Sequence, residues 1–228
     1  MKKEVIVISL GGSLIAPEKR NPSYLNKFKK TIQKFYKKYK FVIVCGGGSI
    51  ARNYIETLKK GKATEKELSL AGIEATRMNA RFLMQLFGKI ANDTLPLDML
   101  HVKTNLRKNN LVICGALRYT PHATSDTTAA KLAHYFKSPF INITNVKGLY
   151  TSNPFINKNA KFIPKISAKE FEKKALSLKY KHGQHFILDQ KSSVLIRKFK
   201  IKTYIIGPSL SNLRKLLQGK KFVGTVIQ

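Results

Sequence analysis

Acidic residues are scarce in this chain: 12 Asp and Glu stand against 43 Lys and Arg in 228 residues, a formal charge of +31. Cysteine is scarcer still, with two. Cys45 and Cys114 each end an apolar run, which predicts buried, reduced thiols rather than a disulfide. Neither has a partner at ligand spacing, so no zinc site is expected. No apolar run approaches the roughly 20 residues that span a bilayer. The amino terminus passes from Lys2-Lys3 straight into a strand pattern, and its short apolar stretch ends in glycine without a cleavage-like segment. These absences predict a soluble, cytosolic chain with no membrane partner. No repeat, low-complexity linker or clear domain break divides it, and its 43% hydrophobic content suffices for one full core.

The basic excess invites a nucleic-acid reading. Against it, lysine greatly outnumbers arginine and is scattered through every segment (Lys29-Lys30, Lys59-Lys60, Lys173-Lys174, Lys220-Lys221) instead of forming one arm. A general compositional bias toward lysine gives the same result. The charge favours anionic ligands by raising the local potential, and nucleic acid is not the expected partner. Scarce acids also make each of the four aspartates informative: Asp93, Asp98, Asp126 and Asp189.

What the chain does have is two glycine runs, each where an apolar strand stops. Val5-Ile6-Val7-Ile8-Ser9-Leu10 runs into Gly11-Gly12-Ser13, and Phe41-Val42-Ile43-Val44-Cys45 runs into Gly46-Gly47-Gly48. Continuous apolar runs of this length read as strands buried on both faces of a parallel sheet. Glycines at their carboxyl ends let backbone N–H groups approach an anion, at the sheet edge where open α/β folds bind ligands. A single run could be no more than a tight strand end; two, with Arg52 one helical turn on, point to a phosphate-rich site.

Strands and helices alternate along the rest. Asn21-Pro22 opens a helix through Tyr24, Leu25, Phe28, Ile32 and Phe35. Thr64-Glu65-Lys66-Glu67 is a capping box that starts a long helix carrying Leu68, Ile73, Met78, Phe82 and Leu86. Leu111–Cys114, Phe140–Thr144 and Lys202–Ile206 read as further strands, Thr124-Ser125-Asp126 as a helix cap, and Ser167–Glu170 as a second capping box. The expected fold is a single α/β unit.

In order along the chain, GGS, GGGxxAR, GIxxTRxNA, a TxD-type helix start and ITNVxGxYTxxP resemble the amino acid kinase superfamily, and within it the archaeal type of uridylate kinase. The residues are Gly11–Ser13, Gly46–Arg52, Gly72–Ala80, Thr124–Asp126 and Ile143–Pro154. The resemblance implies a three-layer αβα sandwich on a mainly parallel central sheet. It implies an acceptor-binding half over about 1–138 and an ATP-binding half over about 139–228. It further implies transfer of phosphate from ATP to UMP with Mg²⁺, in pyrimidine nucleotide synthesis, by a homohexamer.

Residue by residue, the resemblance implies ATP contacts at Gly12, Ser13, Gly48, Arg52, Thr144, Asn145, Tyr150 and Asn153. UMP contacts are implied at Gly47, Ser69, Thr120, Pro121, His122, Ala123, Thr124 and Ser125. Asp126 matches the aspartate that organises the catalytic cations, Arg52 suits two phosphate oxygens at once, and no separate metal-ligand set is expected. Plainer roles stay open: a helix cap for Thr124 and Asp126, core packing for Tyr150, a solvated loop for His122, capping for Asp189, and an ion pair with Glu74 or Glu67 for Arg77.

The chain also departs from the pattern. Ser9 stands where many relatives carry a strand lysine, Ser49 follows the three glycines in place of lysine, and Ser69 replaces the aspartate that holds the nucleoside sugar. Lys147 and Asn153 replace two further acids, and no glycine separates Pro121 from His122. Either Lys147 supplies the missing catalytic cation, or the chain is a catalytically weak nucleotide- or anion-binding module on the same fold. A kinase for another small acceptor is the third alternative.

Overall fold

The computed structural model describes residues 3–16, 22–178 and 188–228. Strand β1 (Glu4–Leu10) leads through glycine into the short helix α1 (Gly12–Ile15). Then come α2 (Pro22–Gln33), β2 (Tyr39–Cys45), α3 (Gly48–Lys60) and the long α4 (Glu65–Phe87). Next are α5 (Met99–Lys108), β3 (Leu111–Cys114), α6 (Ser125–Phe136) and β4 (Phe140–Ile143). A small hairpin, β5 (Leu149–Tyr150) with β6 (Phe162–Ile163), precedes β7 (Lys165–Ile166) and α7 (Ala168–Leu176). The chain closes with α8 (Gln190–Lys198), β8 (Thr203–Ile206), α9 (Leu210–Leu217) and β9 (Gly224–Ile227). Asn21, expected to cap α2, lies outside the described residues.

Seven strands form one sheet in the order β3-β2-β1-β4-β8-β9-β7. Every pairing is parallel except β8 with β9. Alternation along β1 and β2 splits the core by sheet face. Ile6, Ile8, Leu10, Phe41 and Ile43 meet α2, α4 and α9 on one side, while Val7, Val42 and Val44 meet α5, α6, α7 and α8 on the other. The result is a three-layer αβα sandwich.

Both cysteines are buried and free. Burial pushes the Cys114 thiol up to about 12 and raises Cys45 well above its usual value, so neither is a ready nucleophile.

The Thr64–Glu67 and Ser167–Glu170 capping boxes both form. Helix α5 was not evident in the sequence, although Asp98 caps it by accepting from the His101 N–H at 2.9 Å. Met78 and Phe82 do not join the core face of α4: they are 45% and 49% exposed. The buried face instead includes the smaller Ala75, Thr76, Asn79 and Ala80. That rotation has a purpose. Small side chains let α4 approach the loops after β2 and β3, where Asn79 Nδ2 donates to the Gly46 carbonyl at 2.7 Å and Thr76 Oγ1 accepts from the Ala116 N–H at 2.8 Å.

Candidate active site

The carboxyl ends of β1, β2, β3 and β4 open onto one cavity of about 300 Å³. Its floor is two interlocked glycine loops. The Gly46 N–H donates to the Leu10 carbonyl at 2.9 Å, and the Gly11 N–H to the Ile143 carbonyl at 2.9 Å. A Cβ on Gly12 would sit 2.2 Å from the Gly48 nitrogen, and Gly48 itself has φ +63°. The loops therefore touch backbone to backbone, which leaves no room for a side chain between them. Helix α3 starts at this floor, and Arg52 in its second turn lines the cavity.

Across from the glycines stands the start of α6. Thr124 caps it, its Oγ1 accepting from the Asp126 N–H at 3.1 Å, and Thr124, Ser125 and Asp126 all line the cavity. Ser9 Oγ donates to Asp126 Oδ1 at 2.7 Å, and Asn142 Nδ2 donates to the same oxygen at 3.2 Å. Two strand residues, from β1 and β4, thus aim this carboxylate. Burial and the neighbouring Asp189 carboxylate push Asp126 up to about 7, against the opposing pull of the Ser9 and Asn142 hydrogen bonds.

Asp189 caps α8 through the Ser192 N–H at 2.7 Å. It does far more than cap. Buried at 1% exposure, it also accepts from the N–H groups of Thr124 and Thr127 and from both their hydroxyls. One carboxylate therefore fastens the first turn of α6 to α8. Asp189→Asn sets an NH2 against a backbone N–H donor whichever way the amide turns, and should cost about 3 kcal/mol, the scale of buried donors left unpaired. It should also lower the Asp126 midpoint by removing a like charge. Denaturant melts and a carboxylate-detected NMR titration measure the two effects.

Among the residues expected at the site, Gly12, Ser13, Gly47, Gly48, Arg52, Ser69, Thr120, Ala123, Thr124, Ser125, Asp126, Thr144 and Asn145 line this one cavity. Pro121, His122, Lys147, Tyr150 and Asn153 do not line it. Pro121 and His122 form the exposed tip of a turn, with His122 at φ +51°. Tyr150 packs edge-on against Phe162 at 5.6 Å across the small hairpin, and Asn153 Oδ1 accepts from the Phe155 N–H at 3.0 Å. Lys147 sits where the chain leaving β4 crosses Gly207 at the end of β8, and it lines a neighbouring cavity. Arg77 takes the structural role. It pairs with Glu74 at 2.6 Å and donates to the carbonyls of Ala116 and Leu117, holding the loop after β3.

The cavity also contains residues that sequence reasoning missed: Arg118, Lys131 and Asn142. Lys131 Nζ reaches Thr120 Oγ1 at 3.2 Å. Asn142 left a readable signal, an amide inside the otherwise apolar Phe140–Ile143. Its Oδ1 is buried and has no hydrogen-bond partner among the described residues. The Asn142 amide turns its NH2, not this oxygen, toward the Asp126 carboxylate, so the Asp126 carboxylate is the hard oxygen donor this corner offers to Mg²⁺ when phosphates supply the rest. Among the described residues no group of three or more His, Cys, Asp or Glu forms a protein-only metal cage.

The amino acid kinase family model matches residues 4–207. The uridylate kinase of Archaeoglobus fulgidus is 32% identical over 223 residues, covering 97% of this chain and 99% of its own length. That of Thermoplasma acidophilum is 33% identical over 230 residues, covering 98% and 96%. The crystal structure of the Archaeoglobus fulgidus enzyme superposes with a TM-score of 0.81 over 98% of this chain and 99% of that one, at 31% identity. The UMP kinase of Ureaplasma parvum shares the fold, with a TM-score of 0.79 at 23% identity over the full length of both chains.

Proposed function

The chain belongs to the amino acid kinase family, and from that premise we propose that it transfers the terminal phosphoryl group of ATP to UMP, giving ADP and UDP. The observation that carries the reading is one cavity holding two glycine loops and an opposing helix start that carries Asp126, in a chain similar over nearly its whole length to uridylate kinases. The same reading places it in the cytoplasm, in pyrimidine nucleotide synthesis, as a homo-oligomer, with a hexamer as the form family resemblance suggests. Among the described residues no helix is long and apolar enough to cross a membrane.

Phosphoryl transfer between two polyanions requires alignment and charge compensation more than covalent help. On this reading, about residues 1–138 hold the acceptor and about residues 139–228 the donor's nucleoside, while the glycine loops of the first half also reach the donor phosphates. Gly12, Ser13 and Gly48 direct backbone N–H groups at the donor phosphates, while Thr144 and Asn145 border its nucleoside side. Tyr150 and Asn153 belong to the donor's outer edge. Gly47, Ser69, Thr120 and Thr124–Ser125 hold the acceptor, whose phosphate faces the start of α6. Arg52 offers two donors to oxygens on either phosphate. Mg²⁺, held by the Asp126 carboxylate and the phosphates themselves, would offset negative charge on the phosphates. The protein carries the nucleophile to the phosphorus in line and forms no covalent intermediate.

Purified protein with Mg·ATP and a panel of UMP, CMP, dTMP and small carboxylate or isoprenoid acceptors, read as ADP release, tests this. Strongest turnover with UMP supports it. Another preferred acceptor keeps the kinase and discards the substrate. ATP binding without turnover for any acceptor identifies a binding module.

Ser69 makes a finer test. A hydroxyl holds a ribose 2′-OH less firmly than a carboxylate, so little discrimination rests on that contact. Turnover of dUMP should stay within about tenfold of UMP in kcat/KM, and Ser69→Asp should widen the gap. A gap already beyond a hundredfold in the parent protein would place sugar recognition elsewhere.

A further inference from the structure

Lys147, expected at the reaction centre, instead leads to a second cavity of about 770 Å³ that shares only Ser13 with the first among its described lining residues. We propose that this cavity binds a phosphate-bearing small molecule that is neither donor nor acceptor, and that its occupancy acts on the first glycine loop.

Two lysines face it, Lys147 from the loop after β4 and Lys215 from α9, and no acidic side chain lines it among the described residues. Both lysines are exposed at the cavity rim, where two cations of one sign raise the local potential and favour an anion. The Tyr24 hydroxyl is buried without a hydrogen-bond partner among the described residues, and Tyr24 lines the same cavity. A buried hydroxyl of this kind calls for an acceptor. Leu14, Tyr24, Pro208 and Val223 give the remaining wall an apolar character. Phosphate at the lysines and an apolar or aromatic group against that wall is the ligand chemistry that fits, and the volume lies in the range of small-molecule sites. The dipole of α9, whose amino end borders the cavity, adds potential of the same sign.

Coupling follows from position. Ser13 and Leu14 belong to the turn of α1 that follows Gly12, and Gly12 is in backbone contact with Gly48. A ligand pressing on that turn shifts the floor of the reaction cavity, whose backbone has no slack. Of the groups given to donor and acceptor, Ser13 alone also borders this cavity among its described lining residues, so the site is separate from those of ATP and UMP.

The test uses protein labelled with [13C]tyrosine, the Tyr24 signal being assigned by Tyr24→Phe. Inorganic pyrophosphate and UTP are titrated separately. The Tyr24 signal should move in a saturable way with at least one of them. Pyrophosphate alone sufficing shows recognition through phosphate, and UTP alone sufficing adds the apolar wall. Lys215→Gln should weaken that titration about tenfold, the loss of one charge-assisted contact, with kcat and both KM values within about twofold of the parent when neither ligand is added. A Tyr24 signal unmoved by millimolar concentrations of either ligand overturns the proposal. So does a titration that Lys215→Gln leaves unchanged. Because the readout is binding at Tyr24, its outcome is independent of whether UMP proves to be the acceptor.

Discussion

Asp126→Asn should lower turnover about a thousandfold, the scale on which removal of one preorganised charge at a reacting phosphate or oxyanion acts. That corresponds to about 4 kcal/mol of transition-state stabilisation. The substitution keeps the hydrogen bond from Asn142 and the helix start at Thr124, so acceptor affinity should change little. Steady-state kinetics with saturating Mg·ATP measure the split, and a variant retaining a tenth of the parent turnover would remove Asp126 from the mechanism.

The same residue fixes a pH dependence. Its carboxyl is held at about 7 by burial and by Asp189, and only the ionised form offsets a cation. With the divalent cation limiting, kcat/KM should therefore rise with pH up to about 7 and level off above it. Saturating cation should draw the midpoint lower, since a positive neighbour favours the carboxylate. Asp126→Asn should lack this limb.

Stability runs the opposite way. A carboxyl whose folded value is raised contributes stability that is complete below the ordinary aspartate range near 4 and is lost as pH climbs to about 7. The full linkage would be about 4 kcal/mol, but water reaches this side chain through the cavity, and about 1–2 kcal/mol is the discounted expectation. Asp126→Asn should thus melt higher than the parent at pH 8 and at the same temperature at pH 4. Lower activity with higher stability would mark Asp126 as a residue kept for chemistry.

Much of this was legible in the sequence because the relevant signals are local. Apolar runs ending in glycine give β1 and β2, and Thr64 and Ser167 announce α4 and α7 through capping boxes that need only four residues. What was not legible depends on partners distant in sequence. Asp189 reads as a cap for α8, and its bonds to Thr124 and Thr127, more than sixty residues away, exist only once α6 and α8 pack. Met78 and Phe82 satisfy a helical apolar pattern, yet α4 turns them outward because its small residues must meet the glycine loops. Lys131 has no sequence partner to betray its place in the cavity. Lys147 follows a recognisable motif, but the path over Gly207 carries it to the other cavity. Pattern gives the elements; how closely two elements approach gives the site.

Gly12→Ala puts that last point to the test. A Cβ there would lie 2.2 Å from the Gly48 nitrogen, 2.6 Å from the Gly47 carbonyl carbon and 2.7 Å from the Gly46 oxygen. All three are backbone atoms, so no rotamer change relieves the clash. Gly48 cannot easily move either: it adopts φ +63°, and its own Cβ would lie 2.7 Å from the Gly12 carbonyl carbon. The loops must separate, and the segments they join are the ends of β1 and β2, which pair in parallel over seven residues. Overpacking in a relaxed core costs about 1–3 kcal/mol; with backbone on both sides the upper end, about 3 kcal/mol, is the expectation. Function should suffer more than folding. On the proposed reading the N–H groups that meet phosphate lose their alignment even where the sheet survives, and misplacement of about 1 Å can cost a hundredfold in rate. Turnover in Gly12→Ala should therefore be lost to the limit of detection in protein that still unfolds cooperatively in urea, with ATP binding weakened in calorimetry. Gly88→Ala is the control: it also has positive φ, at +61° with ψ −143°, but no atom lies within 4 Å of its Cβ, so it should cost about 2 kcal/mol from backbone strain alone and leave turnover intact. Equal loss of activity in both variants would mean that general destabilisation, not contact between the glycine loops, limits the reaction.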